Sequence, residues 1–413
     1  MDASSAIARF THGLVIPTEP AAQDPSMFVF DPYSPQTDAD PFPLYRTLRD
    51  EHPCFWSPQA NMWILSRYDD IVRALNDWKT YSSARGNLMD ELPNRAGATL
   101  GTTDPPRHDR LRSLIQHAFT RRNLDYIDAH IRQAANDAID KFEGRKSFDF
   151  VEDFSSKVTV KVLFRLLGLP PGNDEMVRDK AVLMVQSDPK TRQKGPEHIA
   201  AFDWVREYAA GVIKERTASP GEDLISQFVL AEIDGEKLEE REILLTTTTL
   251  IMAGIESLGG FMTMFALNLA DFDDARRAVV AAPERLADAI EESLRYNTSA
   301  QRFRRAVVQD TELHGQTMKA GDFVSLCYGS GNRDERRFAD PDAYDIARKP
   351  KGHLGFGGGV HACLGSAIGR MAVKVAFEEF HKRIPDYRRV EQTLDWMPSS
   401  TFRSPLKLEL ARA

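Results

Sequence analysis

Apolar positions along this chain recur mostly at helical spacing. Residues 243–270 are almost wholly apolar or small, and Glu256 is the one charged residue among them. A run of that length would cross a membrane. Its threonines Thr246 to Thr249, its Gly259-Gly260 pair and its acid instead predict the core helix of a soluble protein. Over 366–384 the apolar residues Val373, Ala376, Phe377, Phe380 and Ile384 share a helical face, and the helix ends before Pro385. Residues 69–78, with Ile71, Val72, Ala74 and Leu75, predict another helix. So do 43–52, 124–142, 154–167, 174–186, 202–212 and 289–296. Strands are expected at 62–66 and within 311–326, while 82–103 dissolves into glycine, proline and asparagine. The break at Asp188-Pro189 marks a mobile lid, and polar residues 1–41 an N-terminal arm.

Composition narrows the function. A net charge of -8 over 413 residues argues against nucleic acid as a partner. Cys54, Cys327 and Cys363 are too few and too scattered for a disulfide framework or a zinc site, so a reducing cytoplasm is expected. Residues 1–20 hold no long apolar run, and neither signal peptide nor membrane anchor is expected.

Chemistry concentrates in Phe356-Gly357-Gly358-Gly359-Val360-His361-Ala362-Cys363-Leu364-Gly365. Consecutive glycines let backbone amides approach a bound group. The thiol follows them at the start of a helix, a setting that favours the thiolate. Such a sulfur is a metal ligand or a nucleophile. A carboxylate inside an apolar helix, as at Glu256, costs several kcal/mol unless it is used or satisfied. Gly254 thins that helix and leaves room for a small ligand. His108 and Arg112 lie four apart on one helix face, which suits an anion between them. Glu292 and Arg295, three apart, are placed to pair.

The stretch from Phe356 to Gly365 matches Phe-x-x-Gly-x-His-x-Cys-x-Gly and resembles the haem-binding loop of the cytochrome P-450 family. Residues 104–112 resemble that family's haem-facing helix, Ala253-Gly254-Ile255-Glu256-Ser257 its oxygen-activating helix segment, and Glu292 with Arg295 its structural Glu-x-x-Arg pair. The resemblance implies a mostly α protein with small β-sheets (α+β), one domain over 42–413, holding the haem between the central helix and the helix after the cysteine. It implies haem b with Cys363 as axial thiolate, which pushes electron density through the iron. Cofactor contacts follow from it at His108, Arg112, Ala253, Gly254, Arg304, Phe356, Gly357, His361 and Gly365. Glu256 and the Ser257 hydroxyl are then the proton relay, serine standing where the family usually has threonine.

The same resemblance implies insertion of one atom of O2 into a small, mainly apolar substrate, by hydroxylation or O-demethylation. Electrons would come from NAD(P)H through a ferredoxin and its reductase, docked by Arg107, Arg110, Arg348, Lys349 and Lys351. Substrate contacts are expected at Arg85, Leu88, Leu92, Leu250, Ala300, Arg302 and Phe402; Arg85 and Arg302 would grip an aromatic acid or accept a methoxyarene. The rival readings are a peroxygenase or nitric-oxide reductase on the same haem, a haem-binding protein without catalysis, and a thiol enzyme using Cys363.

Overall fold

The computed structural model of the protein describes residues 28–118, 126–188, 190–191, 193–233 and 235–412. The chain divides into Met1–Phe30 and Asp31–Ala413. The large unit therefore begins ahead of residue 42, its expected start. The Ser34 hydroxyl caps a short helix, Pro35–Ala39, by accepting the Thr37 N–H. Arg403 then ties that helix to the C-terminal segment by donating to the carbonyls of Asp38 and Ala39.

The large unit is mostly helical. The run around Glu256 forms one helix, Glu240–Asp271. It is long and apolar enough to cross a membrane, yet 67% of its most apolar window is buried inside the protein. Around it pack Ser156–Leu167, Asp174–Val185 and Pro196–Ala218, three helices expected from their periodicity. The helix expected from 124 is described as Ile127–Ile139; its first two positions, like Pro189, lie outside the described residues. The helix Ser366–Arg383 faces the central helix through aromatic contacts, with the rings of Phe265 and Phe377 4.6 Å apart. Short helices Leu224–Leu230 and Asp273–Ala281 were not foreseen.

The β structure is small. A five-stranded sheet has the order Cys54–Ser57, Met62–Leu65, Phe323–Cys327, Arg302–Val307, Tyr81–Ser82. Strand Arg302–Val307 escaped the sequence reading because three arginines obscure its alternation. Its register is fixed against Phe323–Cys327, with Arg304 opposite Ser325 and Arg302 opposite Cys327. Neighbouring side chains on a strand point to opposite faces. Phe303 and Arg305 therefore share one face, and Arg302 and Arg304 the other.

Two contacts position the cysteine loop. First, Glu292 and Arg295 are fully buried and joined by two bonds, Arg295 Nε to Oε2 at 2.8 Å and Nη2 to Oε1 at 2.7 Å. Arg295 also donates to the carbonyls of Asn332, Pro341 and Ala343, while Glu292 accepts from Arg348 Nε. The pair thus holds the irregular segment that leads into the loop. Second, Gly359 has φ +61 and lies against the helix Tyr68–Asn76, where a side chain would collide with the Leu75 carbonyl.

Both contacts are testable. Glu292→Gln leaves the buried Arg295 and the half-buried Arg348 without their counter-charge, a change that typically costs about 3–5 kcal/mol. Urea unfolding followed by circular dichroism should show a clearly lowered midpoint; an unchanged one would remove the bracing role. Gly359→Ala should lift the loop off Leu75 and reduce retention of the expected haem after gel filtration, while far-ultraviolet dichroism stays native.

Candidate active site

Cys363 forms part of the wall of a cavity of about 330 Å³. The loop that carries it is closed by the Cys363 N–H, which donates to the Phe356 carbonyl at 2.9 Å. Arg112, on the helix Arg107–Ala118, reaches the same loop and donates through Nη1 to the carbonyls of Val360 (3.2 Å) and Ala362 (2.9 Å). The helix and the loop therefore clamp the sulfur from two sides. The loop amides and the helix start favour the thiolate as expected, but burial opposes them. The sulfur faces a cavity enclosed by protein, and that burial raises the thiol's pKa. The Gly365 N–H, Arg112 and Arg370 offset only part of the rise. A metal cation on the sulfur displaces the proton outright.

Polar atoms without partners gather beside the loop. His108 and His361 lie edge to face with ring centroids 4.7 Å apart, and the Nε2 of each is buried without a partner among the described residues. Burial keeps the His361 imidazole neutral, its pKa pushed down to about 4, although Asp104 lies 3.9 Å away. Arg305 joins His361 in the cavity wall. This donor set fits the two propionates of a haem, and the sulfur fits its iron.

Arg304 does not belong to that set. It donates to the carbonyls of Met89 and Arg85 and stacks over Phe323, its guanidinium carbon 4.2 Å from the ring centroid. Arg305 takes its expected place, because strand alternation turns position 305 and not 304 towards the cavity. Phe303, two residues before Arg305 on the same strand face, lines the cavity with it.

Across the cavity stand Leu250, Ala253, Gly254 and Ser257 of the central helix. A side chain at Gly254 would press on Leu163 at 2.7 Å, so this glycine brings two helices together as well as opening the wall. Glu256 does not line the cavity. It turns into the protein, where the Ser404 hydroxyl donates to it at 3.3 Å. Burial raises its pKa from 4.5 to about 8. The Ser257 hydroxyl is turned back onto the Ala253 carbonyl, one turn earlier. Acid and alcohol are thus sequence neighbours without a direct bond.

Of the expected substrate contacts, Leu88, Leu250, Ala300 and Phe402 line the cavity. Leu92 is buried in the core beneath its loop. Arg85 is exposed, donates to the Gly321 carbonyl and lies over Phe323. Arg302 is fully buried on the far face of its strand and donates to the Ser400 carbonyl at 2.7 Å. Neither arginine can grip a substrate in this cavity. Asn87 and Arg95 do line it, unforeseen in a stretch whose glycines and prolines hid the Glu91-Arg95 spacing. Of the five basic docking residues, Arg107 and Arg110 pair with Glu242, and Arg348 serves Glu292. Lys349 is exposed beside Asp288.

Comparison with known proteins gives the same reading. The family model for cytochrome P-450 matches residues 284–383. A putative cytochrome P-450, YjiB of Bacillus subtilis, is 32% identical, over 86% of this chain and 89% of its own. A methyl-branched lipid omega-hydroxylase of Mycobacterium tuberculosis is also 32% identical, over 84% and 86% respectively. The structure of the cytochrome P-450 CYP109Q5 from Chondromyces apiculatus superposes with a TM-score of 0.84 at 31% identity, covering 92% of this chain and 97% of its own. With its cysteine loop, its unpartnered propionate donors and relatives matching along nearly its whole length, this chain belongs to the cytochrome P-450 family, oxidoreductases that carry haem b on a cysteine thiolate, here Cys363.

Proposed function

We propose that the protein oxygenates a small, mainly apolar organic molecule, by hydroxylation or by removal of an O-methyl group. Electrons come from NAD(P)H through a ferredoxin and its reductase in the cytoplasm. The observation that carries this reading is the cavity itself, with a thiol at one wall, an alcohol-bearing helix opposite and mainly apolar side chains between. A methyl-branched lipid is the substrate named for one relative, which suits the same apolar lining. The narrower idea of an aromatic acid rested on Arg85 and Arg302 and falls with their positions.

Each residue then has a task. His108, Arg112, His361 and Arg305 hold the two propionates, while Phe356, Gly357 and Gly365 shape the loop beneath. Ala253 and Gly254 leave space above the ring. Bound there, the haem supplies the activation of oxygen. Glu256 stays protonated at neutral pH because burial disfavours its charge, so it has a proton to give. Ser257 passes that proton on once its hydroxyl leaves the Ala253 carbonyl. A methyl group fewer than threonine makes that rotation easier and its direction less fixed. The acid-alcohol pair also favours a monooxygenase over a peroxygenase.

Turnover of an apolar substrate with NADH and redox proteins should exceed turnover with hydrogen peroxide; the reverse order would favour the peroxygenase. Glu256→Gln should lower product formed per NADH consumed several-fold. The same variant tests the buried acid. Between about pH 4.5 and about pH 8 the unfolded chain ionises Glu256 and the native chain does not, so ionisation favours unfolding. Stability should fall across that window by at most ~1.4 kcal/mol per pH unit. Thermal midpoints of E256Q should therefore rise relative to the parent from about pH 5 to about pH 8, then run level. Parallel profiles throughout would contradict a native pKa near 8.

A further inference from the structure

Two arginines line the cavity, and they differ in kind. Arg305 belongs with His361 and the propionate donors. Arg95 stands on the loop over the cavity, is 2% exposed, and among the described residues has side-chain partners only on its own loop. Its Nε meets Glu91 Oε1 at 2.5 Å and its Nη2 meets Glu91 Oε2 at 2.7 Å. Nη2 also donates to Asn87 Oδ1. No partner for Nη1 is found among the described residues. The bond to Oδ1 settles which way the Asn87 amide faces, and its Nδ2 is left as a second donor. Gly101, also in the cavity wall, keeps that nitrogen uncovered; a Cβ there would stand 3.1 Å from it.

Among the described residues, the one cation in this part of the cavity wall is already paired. Glu91 neutralises Arg95, and the pairing holds the carboxylate pKa low despite a burial that would raise it. Behind it, Asp90 accepts the Ser187 hydroxyl at 2.7 Å and lies 3.9 Å from Lys194 Nζ. Arg304, whose charge also helps to lower the Glu91 pKa, donates to two carbonyls, stacks on a ring and lies outside the cavity wall. A substrate carboxylate would therefore meet Glu91 with no surplus cation in the wall beside it to hold it. A neutral oxygen would meet two N–H donors and no net charge. Burying those donors without an acceptor is costly, whereas a hydrogen bond to a charged donor is strong.

Resting on the monooxygenase reading above, we propose that Arg95 and Asn87 form a subsite for an uncharged acceptor oxygen. The substrate is thus an apolar skeleton bearing a ketone, ester or hydroxyl at the end remote from the oxidised carbon. Arg95 and Asn87 determine specificity; they take no part in the oxygen chemistry.

The test uses the haem-loaded protein and three ligands sharing one skeleton: decalin, 2-decalone and decalin-2-carboxylate. Dissociation constants are read from the haem absorption shift at pH 7.5, where the carboxylate is ionised. The ketone should bind about tenfold tighter than the hydrocarbon. The carboxylate should bind no tighter than the hydrocarbon. Arg95→Lys keeps a cation for Glu91 and withdraws the planar third nitrogen; it should cut the ketone's advantage to about threefold or less. Asn87→Ala, which spares the ion pair, should do the same. Equal binding of ketone and hydrocarbon, or tightest binding of the carboxylate, would overturn the subsite. If Arg95→Lys loses its haem, the parent series and Asn87→Ala decide. A protein without any haem absorption would instead sink the monooxygenase reading, so the two failures are told apart.

Discussion

A single sulfur atom must be held still, facing one particular turn of a helix far away in sequence. The hydrogen bond from the Cys363 N–H to the Phe356 carbonyl closes the loop that presents it. Two neighbours then fix the closed loop in space. Arg112 draws in its far side by two carbonyls, and Leu75 leaves no room for a side chain at Gly359. Upstream, Glu292 and Arg295 brace the segment that delivers the chain to the loop. Backbone carbonyls are the main targets of these arginines, so the grip depends on backbone path more than on neighbouring side chains. This explains how charged residues can organise a region that does no chemistry of its own.

Burial divides the ionisable groups near the site into two kinds. Glu292 and Glu91 are buried with arginine forks, and pairing offsets desolvation. Among the described residues Glu256 has only the Ser404 hydroxyl, and desolvation wins. A paired carboxylate is a strut; a solitary one is a store of a proton. The same comparison applies to the arginines. Arg295 is committed at every nitrogen that meets the chain, whereas Arg95 leaves one free in the cavity.

Much of this was readable in the chain. The 3.6-residue periodicity gave most helices, because an amphipathic or wholly apolar run has few alternatives. The cysteine loop stood out through its glycines and the thiol that follows. What stayed hidden depends on contacts between distant residues. No local pattern around Glu256 tells that Ser404 caps it. The strand Arg302–Val307 is too basic to show its alternation, so the sequence points to Arg304 where Arg305 faces the cavity. Between 82 and 103 the irregular backbone has no period to follow, and Arg95 and Asn87 were missed in it. Arg85 and Arg302 were read by charge alone, and charge does not tell which face of a strand or loop a side chain occupies.

The central claim is that sulfur from Cys363 bonds directly to haem iron. It is tested by replacing that residue with serine and recording the absorption spectrum of the reduced protein under carbon monoxide beside that of the parent. The account predicts a long-wavelength Soret band in the parent that is lost or moved to shorter wavelength in Cys363→Ser. An identical band in both proteins would contradict it.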